Sequence, residues 1–284
     1  NSSDIDVIRD KRMLLGIKLA VPFAKVKFLV PGLTYYQDFY FGEKTIKNYI
    51  FLIFNSFWEF IAMLFSSQIY VFSTLMSNQI KNLYNKKSKI VKPGVDYDLF
   101  KPLNNKFSKN DLKKEFEIPV EKLILLFTGR FSGQKGLPII LSNFLKLDHN
   151  KYHLILVGSG SLDEFIKKNT NNISNITIYR STTEIQKFYQ FSDIFLMSSE
   201  YEPFGQTILE AAACNLPVIS IDDIGFQTAT KEILGKYGFY QKKNDFLSDI
   251  DLCVNSFLPT RDKIRKEYLW ENLLNDLTDG RIFE

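Results

Sequence analysis

Residues Tyr152 to Thr170 read "YHLILVGSGSLDEFIKKNT". An unbroken apolar run, a turn with two glycines and a polar helix-forming run follow one another without a spacer. A strand that does not alternate apolar with polar residues is buried on both faces, so helices must cover both sides of its sheet. The neighbouring stretches repeat the pattern. Upstream lie the strand "LILLFTG" (123–129) and the helix "LPIILSNFLKL" (137–147), which tolerates Pro138 in its first turn. Downstream come the strand "ITIYR" (176–180), the helix "TEIQKFYQF" (183–191), the strand "DIFLMSS" (193–199), a further helix-forming run, and the strand "LPVISI" (216–221). This alternation predicts an α/β fold with a doubly wound parallel sheet.

The first third is less regular. "DIDVIRD", "AKVKFLV" and "IYVFS" read as strands, and the run from Lys44 to Ser66 reads as a helix that is apolar on nearly every face. It is long enough to cross a bilayer, but Asn48, Asn55 and Glu59 interrupt it, so a buried or interfacial helix is expected. Two prolines and a glycine in "KPGVDYDLFKP" (92–102) mark a boundary. The expected domains are 1–98 and 99–265, with a terminal segment 266–284. Residues 1–98 hold 13 Lys and Arg against 8 Asp and Glu, whereas 99–284 hold 23 against 24. The basic excess of the first third suits either an anionic membrane surface or plain solvation. No basic stripe interleaved with stacking aromatics occurs, which excludes nucleic acid as an expected partner. Cys214 and Cys253 are too few for a disulfide framework or zinc site. With no basic-then-apolar leader, a cytoplasmic chain with reduced thiols is expected.

Ligands of doubly wound sheets gather beyond the carboxyl ends of the strands. Two such ends carry unusual residues. In "TGRFSGQKG" (128–136), Arg130 and Lys135 sit among Gly129, Gly133 and Gly136, where two cations on a flexible backbone suit a phosphate or diphosphate, or simply face water. The second end is "SSEYEPFGQTILEAAAC" (198–214). If this segment were fully helical, Glu202 and Glu210 would stand about 12 Å apart. That excludes a shared proton, a bridged metal ion or a glycosidase-type carboxylate pair. Between the acids lies a helix start, with the free N–H groups around Phe204, Gly205, Gln206 and Thr207 and the positive end of the dipole. An anion fits there with a hydroxyl-bearing group at each end, the layout of a nucleotide diphosphate sugar. Solvated acids on a loop and a helix surface are the plain alternative.

Taken together, "EPFGQTILE" with "AAACNLPVI" resembles the E-x7-E signature of the retaining glycosyltransferases of family four, which have the GT-B architecture of two Rossmann-like domains. "GRFSGQKG" resembles that family's phosphate loop. "VGSG", "FSDIFLMSS", "PGVDYDLFKP" and "YLWENL" fall in the family's order over most of residues 65–284. The resemblance implies that Glu202 holds donor-sugar hydroxyls and Glu210 the ribose. Arg130 and Lys135 would neutralise the diphosphate, joined by Gly129 and the backbone of 204–207. Arg180 and Ser181 would edge the nucleobase, and the segment around Trp270 would be a tail helix returning to the first domain. The implied activity is a hexosyltransferase-type, retaining, metal-independent transfer from a nucleotide-sugar donor to a glycan or lipid-linked acceptor of envelope polysaccharide assembly. It would proceed in the cytoplasm or peripherally on the inner face of the cytoplasmic membrane.

Three departures stand out. The family's opening strand and glycine-rich loop have no match, so an incomplete first domain is expected. Pro31 and Gly32 occupy the place of a frequent histidine, and the only histidines, His149 and His153, are expected to be structural. Asn215 stands where glycine is common, and "DIGFQT" lacks an expected acid. A catalytically silent nucleotide-sugar-binding fragment or partner subunit is therefore the alternative to an enzyme, with a sugar-nucleotide epimerase third. Three D-x-D triplets, Asp4–Asp6, Asp96–Asp98 and Asp249–Asp251, arise readily by chance in an Asp-rich chain, and no metal or other cofactor is expected.

Overall fold

The computed structural model describes residues 4–41, 45–103 and 108–280, without the side chains of 4–6 and 38–41. The chain forms two compact units, residues 1–94 with 268–284 and residues 95–267.

In the second unit the sequence alternation becomes a single parallel sheet. Its elements run α5 (Lys109–Glu115), β5 (Leu123–Thr128), α6 (Leu137–Phe144), β6 (Tyr152–Val157), α7 (Asp163–Thr170), β7 (Ile176–Tyr179) and α8 (Ile185–Phe191). They continue with β8 (Ile194–Met197), β9 (Tyr201–Glu202), α9 (Gln206–Ala213), β10 (Val218–Ile221) and β11 (Gln227–Thr228). Last come α10 (Thr230–Leu234), β12 (Phe239–Gln241), α11 (Ile250–Asn255) and α12 (Arg261–Arg265). Before these lie β1 to β4 and α1 to α4 of the first unit, described below.

The main sheet has the order β12-β10-β8-β5-β6-β7, parallel throughout, and β6 is buried at every position. Strands buried on both faces must be apolar along their whole length, as read from the sequence. The helix expected over 137–147 ends at Phe144, because Lys146 N and Leu147 N turn back to the carbonyls of Asn143 and Phe144 in i to i−3 bonds. The short strands β12, β9 and β11 carry no sequence signal. The last two pair outside the main sheet, with Thr228 beside Glu202.

The first unit is a parallel sheet of β1 (Asp4–Ile8), β2 (Lys25–Leu29), β3 (Gln68–Val71) and β4 (Lys89–Ile90), paired in chain order. Its helices are α1 (Lys11–Ala20), α2 (Thr34–Phe41), α3 (Ile46–Phe65) and α4 (Thr74–Tyr84), and α13 (Trp270–Thr278) joins them from the end of the chain. Leu273 and Leu277 of α13 pack on Leu29, Tyr70 and Val91, and Lys27 donates to Leu277 O at 2.7 Å. A Cβ on Gly94 would stand 2.4 Å from Trp270 N, so only glycine allows this contact.

Helix α3 buries Leu52, Asn55, Glu59, Ala62 and Met63. Most of its apolar side chains instead face outward. Its 20 residues and mean hydropathy of 1.4 would suit a membrane crossing, yet its two buried polar residues are bonded within the unit. Lys44, expected at its start, lies outside the described residues.

Candidate active site

Strand β5 pairs with β8 through Leu125↔Ile194 and Leu126↔Phe195, so the loops leaving their carboxyl ends are neighbours although some 70 residues separate them. Four hydrogen bonds join the loops. Glu200 N donates to Gln134 O (2.9 Å), Gln134 Nε2 to Tyr201 O (3.1 Å) and Ser198 Oγ to Lys135 O (2.7 Å). In the fourth, Lys135 Nζ donates to Glu202 Oε2 at 2.5 Å, an ion pair whose side chains are only 25% and 11% exposed.

The turn of Gly136 makes this approach possible. Its φ is +67°, and a Cβ there would lie 2.0 Å from Ser198 O. Any side chain would force the loops apart, so glycine is required by both backbone angle and space. On the far side, Thr228 pairs with Glu202, and Ala229 N donates to Glu202 O at 2.9 Å.

The segment from Glu202 to Glu210 is not fully helical. Glu202 belongs to β9, and α9 begins at Gln206, with Gly205 at its N-cap in the left-handed region (φ +96°). The separation of about 12 Å expected from helical rise therefore does not apply. The two acids belong to distinct hydrogen-bond networks. Glu210 Oε2 accepts from Tyr189 Oη at 2.8 Å, and Tyr189 Oη lies 2.6 Å from Thr128 Oγ1. Thr128 ends β5 and immediately precedes Gly129. Lys135–Glu202 thus flanks the glycine loop at one end, and Thr128–Tyr189–Glu210 at the other.

Burial raises the Glu210 carboxyl to about 7, opposed by the Tyr189 hydroxyl. Burial and the adjacent Glu210 push Tyr189 well above the ordinary phenol value. Both effects follow from taking a charge out of water. Tyr189 and Thr128 were missed from sequence, since one buried hydroxyl on the apolar helix α8 has no pattern. Cys214, at the end of α9, has its thiol raised to about 12 by burial, which keeps it protonated.

Phe204 and Gly205 are buried at the start of α9, and Gln206 and Thr207 form its first turn, half-buried. Arg130 is exposed beside Gly129. Arg180 and Ser181 are exposed just beyond β7, the edge strand two positions from β5, which is about 10 Å at the usual strand spacing. They share the carboxyl edge of the sheet with the other residues but not their hydrogen bonds.

His153 is buried, with Nε2 2.8 Å from Thr177 Oγ1, and burial lowers it to about 4; His149 stacks on Phe144. Asn215, in place of a glycine, has φ +55°, and its Oδ1 accepts from Thr260 N and Arg261 N. Asparagine tolerates this conformation better than most residues and here adds two bonds. Asp96, Asp249 and Asp251 are engaged by Leu99 N, Gln241 and Lys151 respectively, while the side chains of Asp4 and Asp6 lie outside the described residues.

The loops, the E-x7-E helix and the strands that carry them all lie within residues 108–246, which match the family model for glycosyl transferases group 1. The matched region lies in the second unit, and the alignments with sequence relatives extend beyond it. Over 200 residues the chain is 27% identical to a probable sucrose-phosphate synthase of Thermosipho melanesiensis, covering 64% of this chain and 44% of that protein. It is 28% identical over 196 residues to the O-antigen biosynthesis glycosyltransferase WclY of Escherichia coli, covering 65% of this chain and 50% of WclY. The chain thus spans about half the length of these relatives.

Among solved structures, HepE of Anabaena in complex with UDP-glucose superposes with a TM-score of 0.77 at 14% identity, over 98% of this chain and 78% of HepE. A glycosyltransferase of Rickettsia africae superposes at 0.66 and 14% identity over 99% of both chains. The fold is that of the GT-B glycosyltransferases, α/β with parallel sheets.

Proposed function

We propose that the protein transfers a sugar from a nucleoside diphosphate sugar to a glycan or lipid-linked acceptor of envelope polysaccharide assembly, with retention of configuration and without a metal. The carrying observation is the Lys135–Glu202 pair, held by the β5 and β8 loops beside the Thr128–Tyr189–Glu210 chain. The relatives support the substrate classes: HepE was solved with UDP-glucose bound, and WclY is a glycosyltransferase of O-antigen biosynthesis.

Breaking the anomeric C–O bond leaves negative charge on the departing diphosphate and an oxocarbenium-like sugar. Lys135 and Arg130 supply fixed positive charge to that leaving group, and the N-terminal turn of α9 adds its dipole. Lys135 need not be generated for this task, since it is already positioned. An arriving diphosphate competes with Glu202 for its ammonium, which frees the Glu202 carboxylate for sugar hydroxyls. Glu210, held by Tyr189, takes the ribose hydroxyls. The acceptor hydroxyl attacks on the face the diphosphate leaves, and its proton passes to the departing phosphate oxygen.

The test is turnover of a panel of UDP-, GDP- and ADP-sugars with membrane-extract acceptors, UDP-glucose first. Glu202→Ala and Lys135→Ala serve as controls. One donor should be consumed with transfer of label to a glycan, and both variants should lose that transfer. Donor binding without turnover would leave a nucleotide-sugar-binding subunit instead, and absence of any nucleotide binding would end both readings.

A further inference from the structure

In helix α3 the usual distribution of side chains is reversed. At about 100° per residue, Ile46, Ile50, Ile53, Phe57 and Leu64 fall within an arc of about 60°, with Phe54 at its edge. All six are exposed, Ile46 by 82% and Ile53 by 70%. The polar residues Asn55 and Glu59 point the opposite way, into the unit. Glu59 Oε1 accepts from Thr34 Oγ1 and Glu59 Oε2 from Tyr84 Oη at 3.0 Å, while Lys11 Nζ donates to Asn55 O at 3.0 Å. A helix on a water-facing surface turns its apolar stripe inward. Here the apolar stripe is outward, and Glu59 is locked inward by bonds to Thr34 and Tyr84.

We infer that the outward face of α3 is a membrane-docking surface that lies in the plane of an anionic phospholipid bilayer and inserts its apolar side chains without crossing it. Three observations select this occupant. The helix α1 packs on α3, and the two helices carry Lys11, Arg12, Lys18 and Lys47 with a single acid, the buried Glu59. Exposed Arg12 and Lys47 therefore give this part of the unit a positive sign, complementary to anionic headgroups. Trp58 lies edge-on to Phe54 and Phe57, and aromatic side chains of this kind favour the depth between headgroups and acyl chains. Crossing would require pulling Glu59 from Thr34 and Tyr84 into hydrocarbon, whereas lying flat leaves those bonds intact. The inference rests on the first unit alone and stands or falls independently of the donor-site reading.

Co-sedimentation of the full chain with vesicles tests it, using neutral phosphatidylcholine and phosphatidylcholine with about 30% phosphatidylglycerol. Binding should be at least about tenfold tighter to the anionic vesicles. The triple variant Ile53→Gln, Phe54→Gln, Phe57→Gln should bind them at least about tenfold more weakly, with unchanged thermal melting, because its side chains are exposed. Arg12→Glu with Lys47→Glu should erase the preference for anionic vesicles. Failure of the unmodified chain to bind anionic vesicles, or full binding by the triple variant, would overturn the inference. So would a dimer that the triple variant dissociates and that leaves vesicles unbound, since the face would then be covered by a second copy. A chain that resists alkaline carbonate extraction would span the bilayer and overturn the in-plane geometry.

Discussion

Two helical glutamates, Glu59 in the first unit and Glu210 in the second, share much of their chemistry and differ in one respect. Glu59 is buried and Glu210 half-buried, each accepts a hydrogen bond from a tyrosine hydroxyl, and desolvation raises each carboxyl above its ordinary value. Glu59 is also bonded by Thr34 and faced by the charge of Lys11. Among the described residues Tyr189 is the only hydrogen-bond partner of the Glu210 carboxylate. A carboxylate has about four acceptor sites. Glu59 spends its sites on its own unit and holds α3 in place, whereas Glu210 retains capacity for an incoming group. Counting partners separates an acid engaged wholly by its own unit from one with acceptor sites left over.

Substitutions can break this comparison, and the strongest lies at the other end of the glycine loop from Glu210. Lys135→Ala removes the positioned cation and should lower kcat/KM for the nucleotide sugar by about 10²- to 10³-fold, with the melting temperature little changed, as measured in a donor-turnover assay. Glu59→Ala should do the reverse. It strips Lys11, Thr34 and Tyr84 of a common partner and should cost about 3 kcal/mol of unfolding free energy by denaturant titration, with donor affinity intact. Equal loss of donor binding in Glu59→Ala would remove the distinction.

The next test is pH. Glu210 has a folded value of about 7 against 4.5 ordinarily, so the protonated form is favoured by folding. Its stabilising contribution is complete below about 4.5 and is lost as pH rises through about 7, a fall on the order of 3 kcal/mol. Glu210→Gln should flatten that part of the stability profile. Donor affinity should run the other way, strengthening from pH 6 to pH 8 as the carboxylate forms, and this dependence should vanish in the same variant. The smallest effect belongs to the tyrosines. Tyr189→Phe should raise the donor KM by about fivefold, close to 1 kcal/mol, with kcat nearly unchanged. Tyr84→Phe should leave that KM alone and lower stability only.

Much of the second unit was legible because its strands are continuous apolar runs, and such runs have few places to go besides the centre of a covered sheet. The glycine loop and the E-x7-E helix were legible for a related reason, since charged residues at strand ends break an otherwise apolar pattern. Tyr189 was not, because a hydroxyl becomes informative only once its neighbours are known. The helix estimate for 202–210 failed because β9 takes its conformation from pairing with β11, a contact that local propensity does not encode. Helix α3 shows the same limit. Its composition announced an apolar helix, but the phase of that helix was set by Lys11, Thr34 and Tyr84 on other elements.

By itself the amino-acid sequence determined where the buried strands run, which cations and carboxylates stand at their ends, and which family's spacing they follow. Those features depend on local periodicity and on residues close together in the chain. Only the tertiary structure decided that Lys135 meets Glu202, that Glu210 hangs on Tyr189, and that α3 turns its apolar side outward. Each of these depends on strand order and on packing between residues far apart in the chain, and no local pattern carries that information.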